Sequence, residues 1–160
     1  MKSIFNIFLI FVFTFFFAVL GGELIRWNNT QEMVYKEIQM ATLDAMDLTV
    51  DEKLKHDGIL YIENPNETRD IIENLLRDNL GVSLTQSRIV NNPHYMKDIN
   101  ITEFTIFQGQ YVIEGEKARQ IKIPVVTIKG SFNLYPFVAR FNTFYFPTNI
   151  NNQTEFIFRD

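Results

Sequence analysis

Apolar side chains follow one another almost without a break from Ile4 to Leu20, interrupted only by Asn6 and Thr14, and Gly21-Gly22 closes the run. At helical rise the segment reaches roughly 26–28 Å, the hydrocarbon depth of a bilayer. The pattern predicts a membrane-spanning signal-anchor over residues 4–22, behind a cytoplasmic flank of residues 1–3. A cleaved signal peptide is the alternative. Its apolar core is normally shorter, however, and Val19-Leu20-Gly21, though a tolerable pair at −3 and −1, lacks the Ala-x-Ala character that favours cleavage. Lys2 stands before the run while Glu23 and Arg26 stand after it. With a short flank on one side and a foldable portion on the other, residues 23–160 are expected outside the cytoplasm.

Beyond the anchor the period changes. Asn28-Asn29 reads as a break or kink, with Asn29 capping a new helix and Glu32 three positions on. Val34, Ile38, Ala41, Ala45 and Leu48 recur at helical spacing and form one stripe, with Lys36, Glu37, Asp44 and Asp47 turned elsewhere. The two alanines keep that stripe narrow, so a sheet or a partner helix can approach closely. A further helix is signalled by Asn64 as N-cap, Pro65 at the first position and Glu67 behind it. Ile71, Ile72, Leu75, Leu76 and Leu80 form its apolar face, Arg77 lies near its end and Gly81 stops it.

From Leu84 the chain turns to β-branched and aromatic residues. Strands are predicted over Ile99–Phe107, Gln110–Ile113, Ile121–Leu134, Val138–Phe146 and Glu155–Phe158, with Gln108-Gly109 and Glu114-Gly115-Glu116-Lys117 as turns. In the longest run the apolar parity switches near Pro124–Val126, which implies a bulge, a bend or a strand buried on both faces. Helices first and hairpin-connected strands afterwards make an α+β fold: an N-terminal transmembrane helix, amphipathic helices, then an antiparallel sheet.

Composition narrows the chemistry. A formal net charge of −4 disfavours nucleic acid and anionic headgroups as partners, and the absence of cysteine excludes disulfides, thiolate metal sites and lipoprotein attachment. Asn28, Asn66, Asn100 and Asn152 each open an N-x-Thr triplet, which a chain rich in Asn and Thr produces by chance. No nucleophile elbow, phosphate loop, dinucleotide turn or zincin motif occurs, so no catalytic residue, cofactor or metal ligand is assigned and no enzyme is expected. His56 and His94 sit in separate loop contexts and read as surface residues. Asp44, Asp47 and Asp51, extended by Glu52, could align as a weak cation site, but read first as the solvated side of an amphipathic helix.

Two features remain as contact surfaces. One is the Ala41/Ala45 stripe. The other is the aromatic cluster before Pro147, where Phe144, Tyr145 and Phe146 are consecutive and so place an aromatic on both faces of a strand.

The apolar helix Ile4–Leu20, the stripe Val34–Leu48 with its spaced alanines, and the turn Asp57-Gly58 together resemble pilin-like and pseudopilin-like bitopic proteins, especially the Tad type of Gram-positive bacteria. The resemblance implies a single-pass subunit of a cell-envelope assembly of pilus, secretion or conjugation type. Such a subunit acts through protein partners or copies of itself. Those pilins carry a glycine-ended leader before the apolar helix and a glutamate shortly after the cut. Here only Met1-Lys2-Ser3 precede the helix and Gly22-Glu23 follow it, so a subunit beside such a machine is expected rather than a processed filament unit. An envelope module that reads a surface polymer through exposed aromatics is the alternative.

Overall fold

The computed structural model describes residues 2–80, 96–115, 117–134 and 146–156. It is an α+β chain with a long apolar N-terminal helix and antiparallel sheets. The first element, α1, runs from Lys2 to Thr49 as one helix, about 72 Å long at standard rise. The break expected at Asn28-Asn29 does not occur. Both asparagines are exposed on the outer side of the helix, and Asn costs a helix well under about 1 kcal/mol relative to Ala. Packing on either side outweighs that penalty, and the Thr30 hydroxyl donates to the Arg26 carbonyl within the helix.

The two halves of α1 lie in different surroundings. From Ile4 to Phe17 the large apolar side chains are exposed. From Val34 onward the helix buries Val34, Ile38, Ala41, Thr42, Ala45 and Met46, then Thr49 and the following Val50. The stripe read from sequence thus holds through Ala45 and then departs. Leu48 is 71% exposed, because the next inward position, four residues after Ala45, is Thr49. That threonine is accommodated by polar bonds: its hydroxyl donates to the Ala45 carbonyl and lies 2.7 Å from the Thr68 hydroxyl.

A short helix, α2 (Glu52–His56), follows, absent from the sequence reading. Asp51 caps it, accepting from the Lys53 and Leu54 amides. Gly58, at φ 78°, closes it as the left-handed residue: its amide donates to the Lys55 carbonyl while that of Ile59 reaches the Leu54 carbonyl. Helix α3 (Pro65–Leu80) begins as the sequence predicts, with the Asn64 side chain accepting from the Asn66 and Glu67 amides. Thr68, Ile72, Leu76 and Leu80 are its buried face. Gly81, its expected stop, lies outside the described residues.

Among the described residues five strands follow: β1 (Met96–Phe107), β2 (Gln110–Glu114), β3 (Lys117–Lys122), β4 (Val125–Leu134) and β5 (Phe146–Glu155). β4 is central in an antiparallel sheet of order β1-β4-β5, while β2 and β3 form a separate hairpin. The run expected as one strand over Ile121–Leu134 is therefore two, divided at Ile123-Pro124. The parity switch marks a change of sheet. β5 also corrects the sequence reading, which placed strands on either side of Pro147–Thr154 but none through it. That stretch is polar, yet Thr148, Ile150 and Thr154 alternate inward and are buried. Residues 138–145 lie outside the described residues, as do 157 and 158.

The core forms where the second half of α1 and α3 pack together against the inner face of the sheet. Val126, Ile128, Phe132 and Leu134 of β4 meet Ile72, Leu76 and Ala45 in one buried cluster. The outer face carries Glu103, Thr127, Lys129, Ser131 and Asn151, with Lys129 bridging Glu103 at 2.8 Å; such alternation is usual for an antiparallel sheet with one wet face. A β1 irregularity near Asn100–Glu103 faces Gly130. A Cβ at Gly130 would run into the Asn100 carbonyl, so the glycine admits the bulge.

Candidate functional site

Two features of the surface stand out, at opposite ends of the sheet. The pairing of Leu134 with Phe146 marks one end, and the pairings of Val125 with Phe107 and Glu155 mark the other. With ten residues in β4, the ends are about 30 Å apart. α1 spans that length: its Trp27 region lies by Phe146, and its C-terminal end lies near the Val50–Ile62 bridge and Gln108.

At the first end β5 is fastened to α1. The Trp27 indole stacks on the Phe146 ring, with centroids 5.5 Å apart and planes inclined by 25°. Its N–H donates to the Thr148 hydroxyl at 3.3 Å. Two turns later the Tyr35 hydroxyl donates to the Asn149 carbonyl at 2.7 Å. Phe146 keeps 48% of its surface exposed, and Leu24 and Ile25 on the adjoining turn of α1 are exposed as well. Glu23 and Arg26 pair on that turn at 2.8 Å. Among the described residues this end is therefore apolar and aromatic, with its Glu23 and Arg26 charges paired, and it continues directly into the exposed apolar stretch of α1.

At the second end the β2–β3 hairpin projects beyond the core. Ile113 (68%) and Ile121 (59%) are exposed. An open cleft of about 460 Å³ is lined by Phe107, Ile121, Ile123 and Val125, with Lys122 beside them. Two glutamines fix the hairpin to the Ile59–Glu63 segment. The Gln120 amide accepts from the Leu60 amide at 2.6 Å and donates to the carbonyls of Leu60 and Gln110. The Gln108 side chain donates to the Ile62 carbonyl, and the Gln108 backbone carbonyl accepts from the Ile62 amide. Between them Gly109, at φ 92°, comes so near Leu60 that a Cβ would lie 2.8 Å from its carbonyl oxygen. Tyr61 and Tyr111 meet edge to face at 5.4 Å on the same junction.

The residues expected to make contacts are placed differently from one another. Ala41 and Ala45 are buried in the chain's own core, so their narrow stripe admits α3 and the sheet rather than a second protein. Phe144 and Tyr145 lie outside the described residues. Phe146 opens β5 and stacks on Trp27. The acidic strip is divided among structural tasks: Asp51 caps α2, and Asp47 holds the Lys55 ammonium at 2.8 Å. That hydrogen bond raises the Lys55 pKa above its ordinary 10.5; burial opposes it, and the smaller pull of the Asp47 and Glu52 charges adds to it. His56 is exposed and His94 is not among the described residues. No group of three or more His, Cys, Asp or Glu side chains among the described residues is placed to hold a metal ion.

Trp27 escaped the sequence reading. The signal was present: a lone tryptophan one residue past a basic side chain at the end of a long apolar run is the pattern of an interfacial aromatic. The exposed hairpin leaves a fainter trace, since Ile113 and Ile121 read equally well as core strand positions. Comparison with protein-family models, curated proteins and solved structures finds no match to this chain.

Proposed function

We propose that the protein is a single-pass membrane subunit whose α+β domain stands outside the cytoplasm and works through protein contacts in a cell-envelope assembly, of the pilus, secretion or conjugation kind implied by the resemblance of its layout. The observation that carries this reading is the division of α1. Among the described residues one helix is long and apolar enough to cross a membrane, none of its most apolar window is buried in the fold, and its other half is built into the core. A soluble core helix would bury that window. The exposed isoleucines of the hairpin at the far end of the sheet support action through contacts, because Ile113 and Ile121 stand where a partner beyond the membrane surface can reach them.

Fractionation of cells expressing the full-length chain tests the proposal, combined with protease treatment of intact cells and mass determination. The expected result is a protein of unprocessed mass that resists alkaline extraction from membranes and loses its domain to external protease. A released product lacking the apolar segment, or a domain protected inside intact cells, would overturn it.

A further inference from the structure

We infer that the Trp27–Phe146 end of the domain docks into the headgroup layer of the bilayer that α1 crosses, so that the domain sits on the membrane with no spacer. The inference rests on the anchored reading above and adds where the domain stands. Its first support is length. Ile4 to Gly22 fills roughly 28 Å, close to the hydrocarbon core, and the headgroup layer beyond it is only about 6 Å deep on each side. At helical rise Glu23 through Trp27 occupy that layer.

The second support is the absence of a joint. α1 continues unbroken through this region, and Trp27 is both stacked on Phe146 and bonded to Thr148. The start of β5 is therefore held at the depth of Trp27. Chemistry is the third. Leu24, Ile25 and Phe146 expose apolar surface, the Glu23 and Arg26 charges pair with one another, and a tryptophan with one N–H to satisfy is the side chain that favours this layer. Among the described residues the rim is apolar with its charges paired and is continuous with a spanning helix, which fits a zwitterionic lipid surface.

Trp27 is the only tryptophan in the chain, so its fluorescence reports its depth directly. The full-length protein would be reconstituted into phosphatidylcholine vesicles carrying a spin label either on the headgroup or at the middle of the acyl chain. Two variants in a Trp27→Phe background, Phe146→Trp and Phe13→Trp, report on the strand and on the centre of the apolar run. Trp27 and the Phe146→Trp reporter should be quenched several-fold more by the headgroup label than by the mid-chain label. The Phe13→Trp reporter should show the reverse.

A Phe146→Trp reporter untouched by the headgroup label, beside a deeply quenched Phe13→Trp reporter, would overturn the docking while leaving the anchor standing. A Phe13→Trp reporter insensitive to both labels would overturn both. Should the Trp27→Phe background not fold, the unaltered chain still decides: Trp27 quenched by neither label, or chiefly by the mid-chain one, overturns the inference.

Discussion

The buried hydroxyls of Thr49 and Thr68 take part in three contacts with two protons between them. They lie 2.7 Å apart, and they also face the Ala45 and Asn64 carbonyls respectively. Removing one hydroxyl leaves the other with a poorer choice of partners, whereas removing both leaves an apolar contact of the same shape. Thr68→Val should cost about 1–2 kcal/mol, and the double Thr49→Val/Thr68→Val variant less than the sum of the singles. Urea unfolding of the three variants in detergent, followed by circular dichroism, checks the non-additivity. Gly130 makes a sharper case. A methyl group there meets backbone rather than a movable side chain, so Gly130→Ala should destabilise by about 2 kcal/mol or more. A melting temperature equal to that of the unaltered chain would show that β1 can shift to make room.

At the scale of elements, the corner between α1 and α2 depends on two aspartates with different duties. Asp51→Ala removes a cap and should cost about 1 kcal/mol. Asp47→Asn removes the partner that raises the Lys55 pKa. A raised folded-state pKa means stabilisation that is full below the unfolded value and lost as pH rises through the folded one. The difference in melting temperature between the unaltered chain and Asp47→Asn should therefore be constant from neutral pH up to about pH 10 and vanish at higher pH. It will be small, because the pair is exposed to solvent. The same scale shows what could be read from sequence. α3 was legible because cap, proline and apolar face agree over a single stretch. β5 was not, because an edge strand whose inward positions are filled by Thr148, Ile150 and Thr154 has almost no apolar signal. Asn28-Asn29 misled because a weak helix former does not end a helix whose flanking turns are well supported. For Ala41 and Ala45 the spacing foretold a close neighbour, but spacing alone does not distinguish a neighbour in the same chain from one in another. That distinction depends on the tertiary arrangement of α3 and β4.

For the whole molecule, the two ends of the sheet have separate roles in the proposed arrangement: one against lipid, the other about 30 Å farther out. Charged substitutions at the outer end should spare the fold, since Ile113 and Ile121 contribute little to the core. The double variant Ile113→Asp/Ile121→Asp should melt with the unaltered chain, yet migrate as a smaller species on native gels of membranes extracted in mild detergent. Unchanged migration would remove the hairpin from the contact surface. The unbroken course of α1 also fixes an angle. Each residue of a helix advances the azimuth by about 100°, so one residue inserted between Gly21 and Gly22 would swing the hairpin to a different compass bearing in the membrane plane, whereas an insertion of seven would restore it to within about 20°. A partner that holds the apolar segment as well as the hairpin would then meet the hairpin or miss it according to the phase of the insertion.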